Sequence, residues 1–398
     1  MITGLSYRLR CALRLGYCKV MIDSLVEMSE RAVRQALALV DRYAFAPLAY
    51  RVVYAGDRLP AAPYLRRLAY ARLSRNWRSV KLHLTGACNL ACQNCYADKR
   101  GQPLSRAVIE DLLDQLAGRH CRLDLLGGEP LLREDLLEII EYARRRAGIE
   151  KIFLYTNGTR IDAQVARGLK DAGLQSAIVS LHSHQPQVHD ALTQHSGAWE
   201  QTVSGIGQLL QAGVRTYSYT VVSARNVDQL DRMAAFSREL GAQPLFFPYI
   251  EQQPADPLAS ERSALKAALA RTKPRSRQLA EVFATGRKLC VAFAHTVNIK
   301  VDGTVTPCVF VDLPLGNIKD QPLFEILQQA WQNPRLSELL SIPQECRSCA
   351  AVRTCGGGCK ASRFTATGDT LSRDPRCLGP CAGPLDREAL ERQVPYLY

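Results

Sequence analysis

No apolar run in this chain approaches the ~20 residues that a membrane-spanning helix needs. Its first residues, Met1 to Asp23, are interrupted by Arg8, Arg10, Arg14 and Lys19, which excludes the continuous apolar stretch of a secretory signal. With no expected route to an oxidising compartment, the fourteen cysteines are poorly explained as disulfides, and the expected location is the cytoplasm. A nucleic-acid module is also missing. The formal net charge is +13, but the basic residues are not interleaved with aromatics in the way single-strand binders require.

What the chain does have is spaced cysteine. Ten of the fourteen fall into two sets, Cys88/Cys92/Cys95 near the front and Cys290/Cys308/Cys346/Cys349/Cys355/Cys359/Cys377 at the back, a regularity that points to metal. The front set lies in Thr85-Gly-Ala-Cys88-Asn-Leu-Ala-Cys92-Gln-Asn-Cys95-Tyr96, directly after the apolar strand Val80 to Leu84. Zinc usually completes a tetrahedron from paired Cys or His knuckles, and no fourth Cys or His lies near Cys95. A 4Fe–4S cube is held by thiolates and takes four, so a cube held by three has one iron open to a substrate or cofactor.

This Cys-x3-Cys-x2-Cys spacing resembles the cluster motif of the radical S-adenosylmethionine (radical SAM) superfamily, whose open iron chelates the methionine amino and carboxylate groups. Downstream, Asp124-Leu-Leu-Gly127-Gly128-Glu129-Pro130 resembles the family's Gly-Gly-Glu-Pro element, which lines the methionine. The residue chemistry fits that role, since two glycines let the backbone approach a ligand and a neighbouring carboxylate accepts from an ammonium. Read alone, the segment is also a glycine-rich strand-to-helix turn with Pro130 opening the helix.

Helix punctuation gives the scaffold. Gly118, Gly148, Gly173, Gly213 and Gly241 each stand just past a helical apolar pattern, such as Leu132, Leu136, Ile140 and Ala143, or Leu230, Met233, Ala234 and Leu240. Each is followed by a short apolar or β-branched run, namely Cys121 to Leu126, Lys151 to Tyr155, Ala177 to Leu181, Tyr217 to Val222 and Leu245 to Ile250. With Val80 to Leu84, six strands alternate with helices, which predicts an α/β fold built on a parallel sheet. The resemblance specifies it further as a partial (β/α)6 TIM-type barrel over residues 79 to 286.

In such barrels the chemistry sits at the carboxyl ends of the strands. Strand-end polar residues are therefore cofactor candidates: Thr156, Asn157 and Gly158, then Ser180 and His182, then Asn226. The resemblance puts Asn157 and Ser180 beside the methionine and ribose, and gives Tyr96 part of the adenine contact, because Asn94 stands where the family often has an aromatic. His182 reads either as a substrate group or as a satisfied barrel residue.

The back set resembles the seven-cysteine pattern of the SPASM domain, the auxiliary-cluster extension of many radical SAM enzymes, with Asp302-Gly303 and Gly356, Gly357, Gly358 in register. That resemblance implies one auxiliary 4Fe–4S cluster on Cys290, Cys308 and Cys359 and a second on Cys346, Cys349, Cys355 and Cys377, in a domain spanning 287 to 398. The first cluster's remaining position is either open to substrate or filled by Cys381. The other reading is a zinc ribbon on Cys346, Cys349, Cys355 and Cys359, which leaves Cys290, Cys308 and Cys377 without purpose. Cys11, Cys18 and Cys121 need no role beyond packing.

Residues 1 to 78 read as a basic helical segment that includes a helix from Ser29 to Tyr43. Through residue 80 the chain carries fourteen Lys/Arg against five Asp/Glu. This face is either solvated exterior or a docking surface for an acidic partner, such as a peptide, an anionic small molecule or a ferredoxin or flavodoxin electron donor. It does not alternate like the winged domain with which many peptide-modifying relatives grip a leader.

The resemblance implies an oxygen-sensitive enzyme that cleaves S-adenosylmethionine to a 5'-deoxyadenosyl radical and abstracts a substrate hydrogen atom. The expected substrate is a peptide or protein side chain that is crosslinked or dehydrogenated. The alternatives are a small-molecule or tetrapyrrole cofactor precursor, or an iron–sulfur carrier without turnover, against which the cofactor-shaped Gly127 to Pro130 element argues. Sulfatase-activating relatives place an aspartate directly after the second auxiliary cysteine. Here Val309, Phe310 and Val311 follow Cys308, so Asp312, four residues along a strand on the same face, is the nearest carboxylate for that role.

Overall fold

The computed structural model describes residues 79–97, 101–119, 121–251, 258–259, 293, 296–349, 357–367, 371–375 and 377. The basic segment 1–78 lies outside the described residues, as do Cys11, Cys18, Cys290, Cys355, Gly356 and Cys381.

All six expected strands form, each within two residues of its expected place: β1 (Ser79–His83), β2 (Arg122–Leu126), β3 (Lys151–Thr156), β4 (Ser176–Ser180), β5 (Arg215–Val222) and β6 (Gln243–Pro248). Every neighbouring pair is parallel, in sequence order, with registers such as Val80↔Leu123 and Ile178↔Tyr217. The crossovers are α1 (Arg106–Leu116), α2 (Leu136–Arg145), α3 (Ala163–Asp171), α4 (Pro186–Thr193) with α5 (Ala198–Gln211), and α6 (Leu230–Glu239). This is the singly wound parallel sheet of a partial TIM-type barrel.

The helices form where amphipathic periodicity and capping agree. The α1 helix starts at Ser105, whose hydroxyl accepts from the Val108 amide, and it buries Ile109, Leu112, Leu113 and Leu116. Asp162 caps α3 in the same way, through Val165. All five punctuating glycines adopt positive φ, the left-handed conformation that closes a helix at little cost only for glycine. Between β4 and β5 there are two helices, separated by left-handed residues at Gln194 and Gly197.

The sheet extends beyond six strands. β7 (Thr296–Ile299) pairs parallel with β1, then β8 (Thr304–Thr306) and β9 (Gly316–Asn317) follow antiparallel, giving the order β6-β5-β4-β3-β2-β1-β7-β8-β9. The cysteine-rich half is thus hydrogen-bonded onto the first barrel strand.

Side-chain alternation separates the two faces of the sheet. Ser218 of β5 donates to Ser237 of α6 at 2.6 Å, so even positions on β5 face the helices. Tyr217 and Tyr219 therefore face the opposite side, where they pack with Phe153, Tyr155, Ile178 and Leu245.

Candidate active site

The three front thiols ride on the loop after β1. Its backbone is pinned on one side by α4, with Ala91 N donating to Thr193 O at 3.3 Å and Gln93 N to Leu192 O at 2.8 Å, and by burial of Leu90. Cys88 and Cys92 are half-buried and Cys95 is exposed. The Leu90 amide donates to the Cys88 sulfur at 3.4 Å, a bond that favours the thiolate a cluster requires.

The other side of the loop is held by the glycine pair. Gly128 N donates to Thr85 O at 2.7 Å and Glu129 N to Ala87 O at 2.8 Å. A Cβ on Gly127 would stand 2.6 Å from the Thr85 oxygen, and one on Gly128 would overlap the Ala87 carbonyl. The backbone that these glycines admit is therefore that of the cluster loop itself. The sequence alone suggested close approach of a ligand at these glycines; the approach seen here is that of the Thr85–Ala87 backbone.

Glu129 is fully buried. Its Oε1 accepts from Thr156 Oγ1 at 2.7 Å and Leu131 N at 3.1 Å, and its Oε2 from Asn157 N at 2.7 Å. A carboxylate offers about four acceptor positions, so one on Oε2 remains. Burial raises the carboxyl above its usual range against the pull of these donors. Pro130 follows as the first residue of a short 3-10 turn capped by Glu129.

Asn157 extends the tie to the cysteine motif, because its Nδ2 donates to Asn89 Oδ1 at 2.9 Å while Asn89 Nδ2 donates to Thr159 Oγ1 at 2.8 Å. Asn89 was missed by sequence reasoning, and its position between Cys88 and Leu90 was the available signal. Ser180 closes β4, half-buried and paired in register with Tyr219.

The remaining candidates divide. His182 is buried, stacks on His189 at 5.8 Å and donates its backbone amide to His189 Nδ1 at 3.1 Å. Burial, and then the neighbouring imidazole, lowers its pKa to about 3, so it is a neutral packed residue at ordinary pH. Asn226 is spent on backbone, donating to His182 O and Val221 O and accepting from Ser223 N, so it shapes the turn after β5. Asp312 departs from expectation: Cys308 and Val311 close a tight antiparallel bridge, with Val311 N donating to Cys308 O at 3.2 Å, so the chain turns where a strand was expected. The Asp312 side chain is 63% exposed and pairs with Lys300 at 2.8 Å.

Tyr96 links the two halves. Its ring meets His83 edge-on at 6.3 Å and Phe310 at 4.9 Å, and Phe310 stacks on Phe247 at 6.0 Å, which continues to Tyr219 and Tyr155. Burial first, then Tyr155 and the thiols of Cys95 and Cys308, hold its phenol above the ordinary range, so one thiol of each set lies within electrostatic reach. A hydrogen-bonded path runs alongside: His83 Nε2 to Asn298 Oδ1 at 2.9 Å, Asn298 Nδ2 to Thr306 Oγ1 at 2.9 Å, then Thr306 Oγ1 to Cys308 O at 3.2 Å. Phe310, too, was passed over by sequence reasoning.

Of the back thiols, Cys346 is buried, while Cys308, Cys349, Cys359 and Cys377 are half-buried. Burial, followed by the neighbouring Cys377, pushes the Cys346 thiol up, with Cys349 adding to it and Arg363 opposing. Cys346, Cys349 and Cys377 are three of the four residues expected to hold the second auxiliary cluster. Asp374, buried and unforeseen, joins the loops by accepting from Cys359 N at 2.8 Å through its side chain and from Cys377 N at 2.9 Å through its backbone. Among the described residues no three Cys, His, Asp or Glu side chains converge on one ion position. A cube spreads its thiolates over separate irons and does not require such convergence.

The model of the radical SAM superfamily matches residues 82–237, and that of the SPASM iron–sulfur cluster-binding domain matches residues 290–350. The chain belongs to the radical SAM superfamily. It is 30% identical over 339 residues to mycofactocin maturase MftC of Mycolicibacterium smegmatis, covering 78% of this chain and 84% of that one. It is 29% identical over 343 residues to the AdoMet-dependent heme synthase of Methanosarcina barkeri, covering 76% and 96%. Among solved structures, anSMEcpe with bound AdoMet shares the fold at TM-score 0.62 and 19% identity, over 80% of this chain and 96% of that one. This radical SAM protein is an enzyme with the SPASM extension. No helix among its described residues is long and apolar enough to cross a membrane.

Proposed function

We propose that this enzyme is a radical SAM/SPASM maturase that oxidatively modifies a side chain of a peptide or protein. The observation that carries the reading is the aromatic wall of Tyr96, Phe310, Phe247, Tyr219 and Tyr155, in which Tyr96 directly follows Cys95 in the chain and Phe310 lies two residues beyond Cys308. These rings lie on the sheet face away from the helices yet stay only half-buried, so they line a space open to a substrate body.

When bound, S-adenosylmethionine on a 4Fe–4S cluster supplies reductive cleavage to a 5'-deoxyadenosyl radical, chemistry that belongs to the cofactor. Cys88, Cys92 and Cys95 would hold that cluster. Gly127, Gly128, Glu129 and Pro130 fix the loop, Asn157 and Ser180 stand at the rim for the methionine and ribose, and Tyr96 borders the adenine side. Cys290, Cys308 and Cys359, and Cys346, Cys349, Cys355 and Cys377, would hold two auxiliary 4Fe–4S clusters, which would supply an electron acceptor for the substrate. A ferredoxin or flavodoxin would deliver the initiating electron. The domain limits that suit this division are 1–78, 79–286 and 287–398.

A second reading, the same chemistry on a tetrapyrrole, is favoured by the match to a heme synthase across 96% of that protein. Incubation of the anaerobic holoprotein with S-adenosylmethionine, dithionite and short peptides encoded beside its gene, and separately with an iron tetrapyrrole, distinguishes the two. Hydrogen loss from a peptide by mass spectrometry, matched to 5'-deoxyadenosine, supports the first; modification of the tetrapyrrole alone replaces it with the second.

A further inference from the structure

Two phenols on the open face of the barrel sheet hold hydroxyls that the fold does not use. Tyr155 on β3 and Tyr219 on β5 face away from the helices, and their rings meet edge-on at 6.2 Å across β4. Both residues are half-buried, yet among the described residues no hydrogen-bond partner stands at either hydroxyl, and neither oxygen is sealed from solvent as that of Tyr217 is. Tyr142 shows the contrast, since even on the outer surface its hydroxyl donates to Asp114 at 3.0 Å. A hydroxyl both donates and accepts, so a pair left open in an aromatic-walled space is filled by water or by a ligand with matching groups.

The matching group is a neutral one. Burial first, then Tyr96 and Tyr155, hold the Tyr219 phenol well above its ordinary range, so it stays protonated. The burial that opposes a phenolate there penalises any other anion seated against the same hydroxyl. Lys81, whose Nζ lies 5.2 Å from the centre of the Tyr155 ring, is already paired with Asp124 and so does not call for a second anion. We propose that Tyr155 and Tyr219 hydrogen-bond a backbone amide of the peptide substrate, while Phe247, 6.1 Å from Tyr219, packs against the adjoining side chain. An amide offers both a donor and an acceptor; an ester lacks the donor, and a carboxylate carries the charge. The pair is thus a specificity determinant, an inference that rests on the reading that the aromatic-walled space takes a peptide.

Equilibrium dialysis of 3-phenyl-N-methylpropanamide against the anaerobic holoprotein, beside methyl 3-phenylpropionate and 3-phenylpropionate itself, tests it. The amide is expected to bind at least about fivefold tighter than the ester and the acid, with that margin lost in the Tyr155→Phe/Tyr219→Phe double variant, which keeps both rings. Equal binding of the three probes, tighter binding of the acid, or no measurable binding of the amide overturns the proposal in the parent protein, with no variant needed. A margin retained in a double variant of normal iron content overturns it as well. A holoprotein that oxidises a peptide yet shows no preference for the amide removes this inference alone. One that prefers the amide but modifies only a tetrapyrrole removes the underlying reading instead.

Discussion

The buried carboxylate of Glu129 accepts the backbone amide of Asn157 at 2.7 Å, fastening the end of β2 to the end of β3 beneath the cluster loop. Glu129→Gln keeps the shape but turns an acceptor into a donor facing another N–H. The variant is expected to lose about 1–3 kcal/mol of stability in urea unfolding and to bind S-adenosylmethionine more weakly. A loss within measurement error would show that the tie is not needed.

Gly128→Ala forces a methyl group onto the Ala87 carbonyl. Backbone cannot yield as a flexible side chain does, so the loop carrying Cys88, Cys92 and Cys95 must shift, at a cost of about 1–3 kcal/mol. The expected outcome is loss of the front cluster's iron, read by metal analysis, with the back clusters retained.

Acid sensitivity follows from the buried imidazoles. Burial lowers His182 to about 3 and His189 to about 4, below the 6.5 of an unfolded histidine, so the unfolded chain binds more protons below pH 6.5. Their contribution to stability is complete above about 6.5 and is lost as pH falls towards 4. His189→Gln, which keeps an acceptor for the His182 amide, is expected to flatten the fall of the urea midpoint between pH 6.5 and 4 compared with the parent.

Asp312→Asn should change little. Its side chain is 63% exposed and its partner is Lys300, a pair of the kind worth about 0–1 kcal/mol. Unaltered stability and turnover are expected, and a large loss of turnover with normal iron content would restore Asp312 as a proton acceptor.

Much of this was legible because local signals agreed. Each punctuating glycine does end a helix, and each following apolar run is a strand, since helix caps and strand alternation are encoded within a few residues. The alternation Val80, Leu82, Leu84 against Lys81 and His83 was visible too, but which side faces helices depends on neighbours such as Ser237 that are distant in sequence. The same limit hid why Gly127 and Gly128 are glycine, because the Thr85–Ala87 backbone arrives from another strand. At Cys308–Val311 no glycine, proline or asparagine announced the turn, so Val309, Phe310 and Val311 read as strand. The pairing of β7 with β1 spans more than two hundred residues and has no local signature.

The most direct test of the account is to reconstitute the full chain anaerobically, count iron and sulfide, and measure 5'-deoxyadenosine after adding dithionite and S-adenosylmethionine, beside a variant with Cys88, Cys92 and Cys95 all changed to alanine. The account predicts about twelve iron in the parent, about eight in the variant, and 5'-deoxyadenosine from the parent alone. Zinc at the back cysteines, or no 5'-deoxyadenosine from a fully loaded parent, would contradict it.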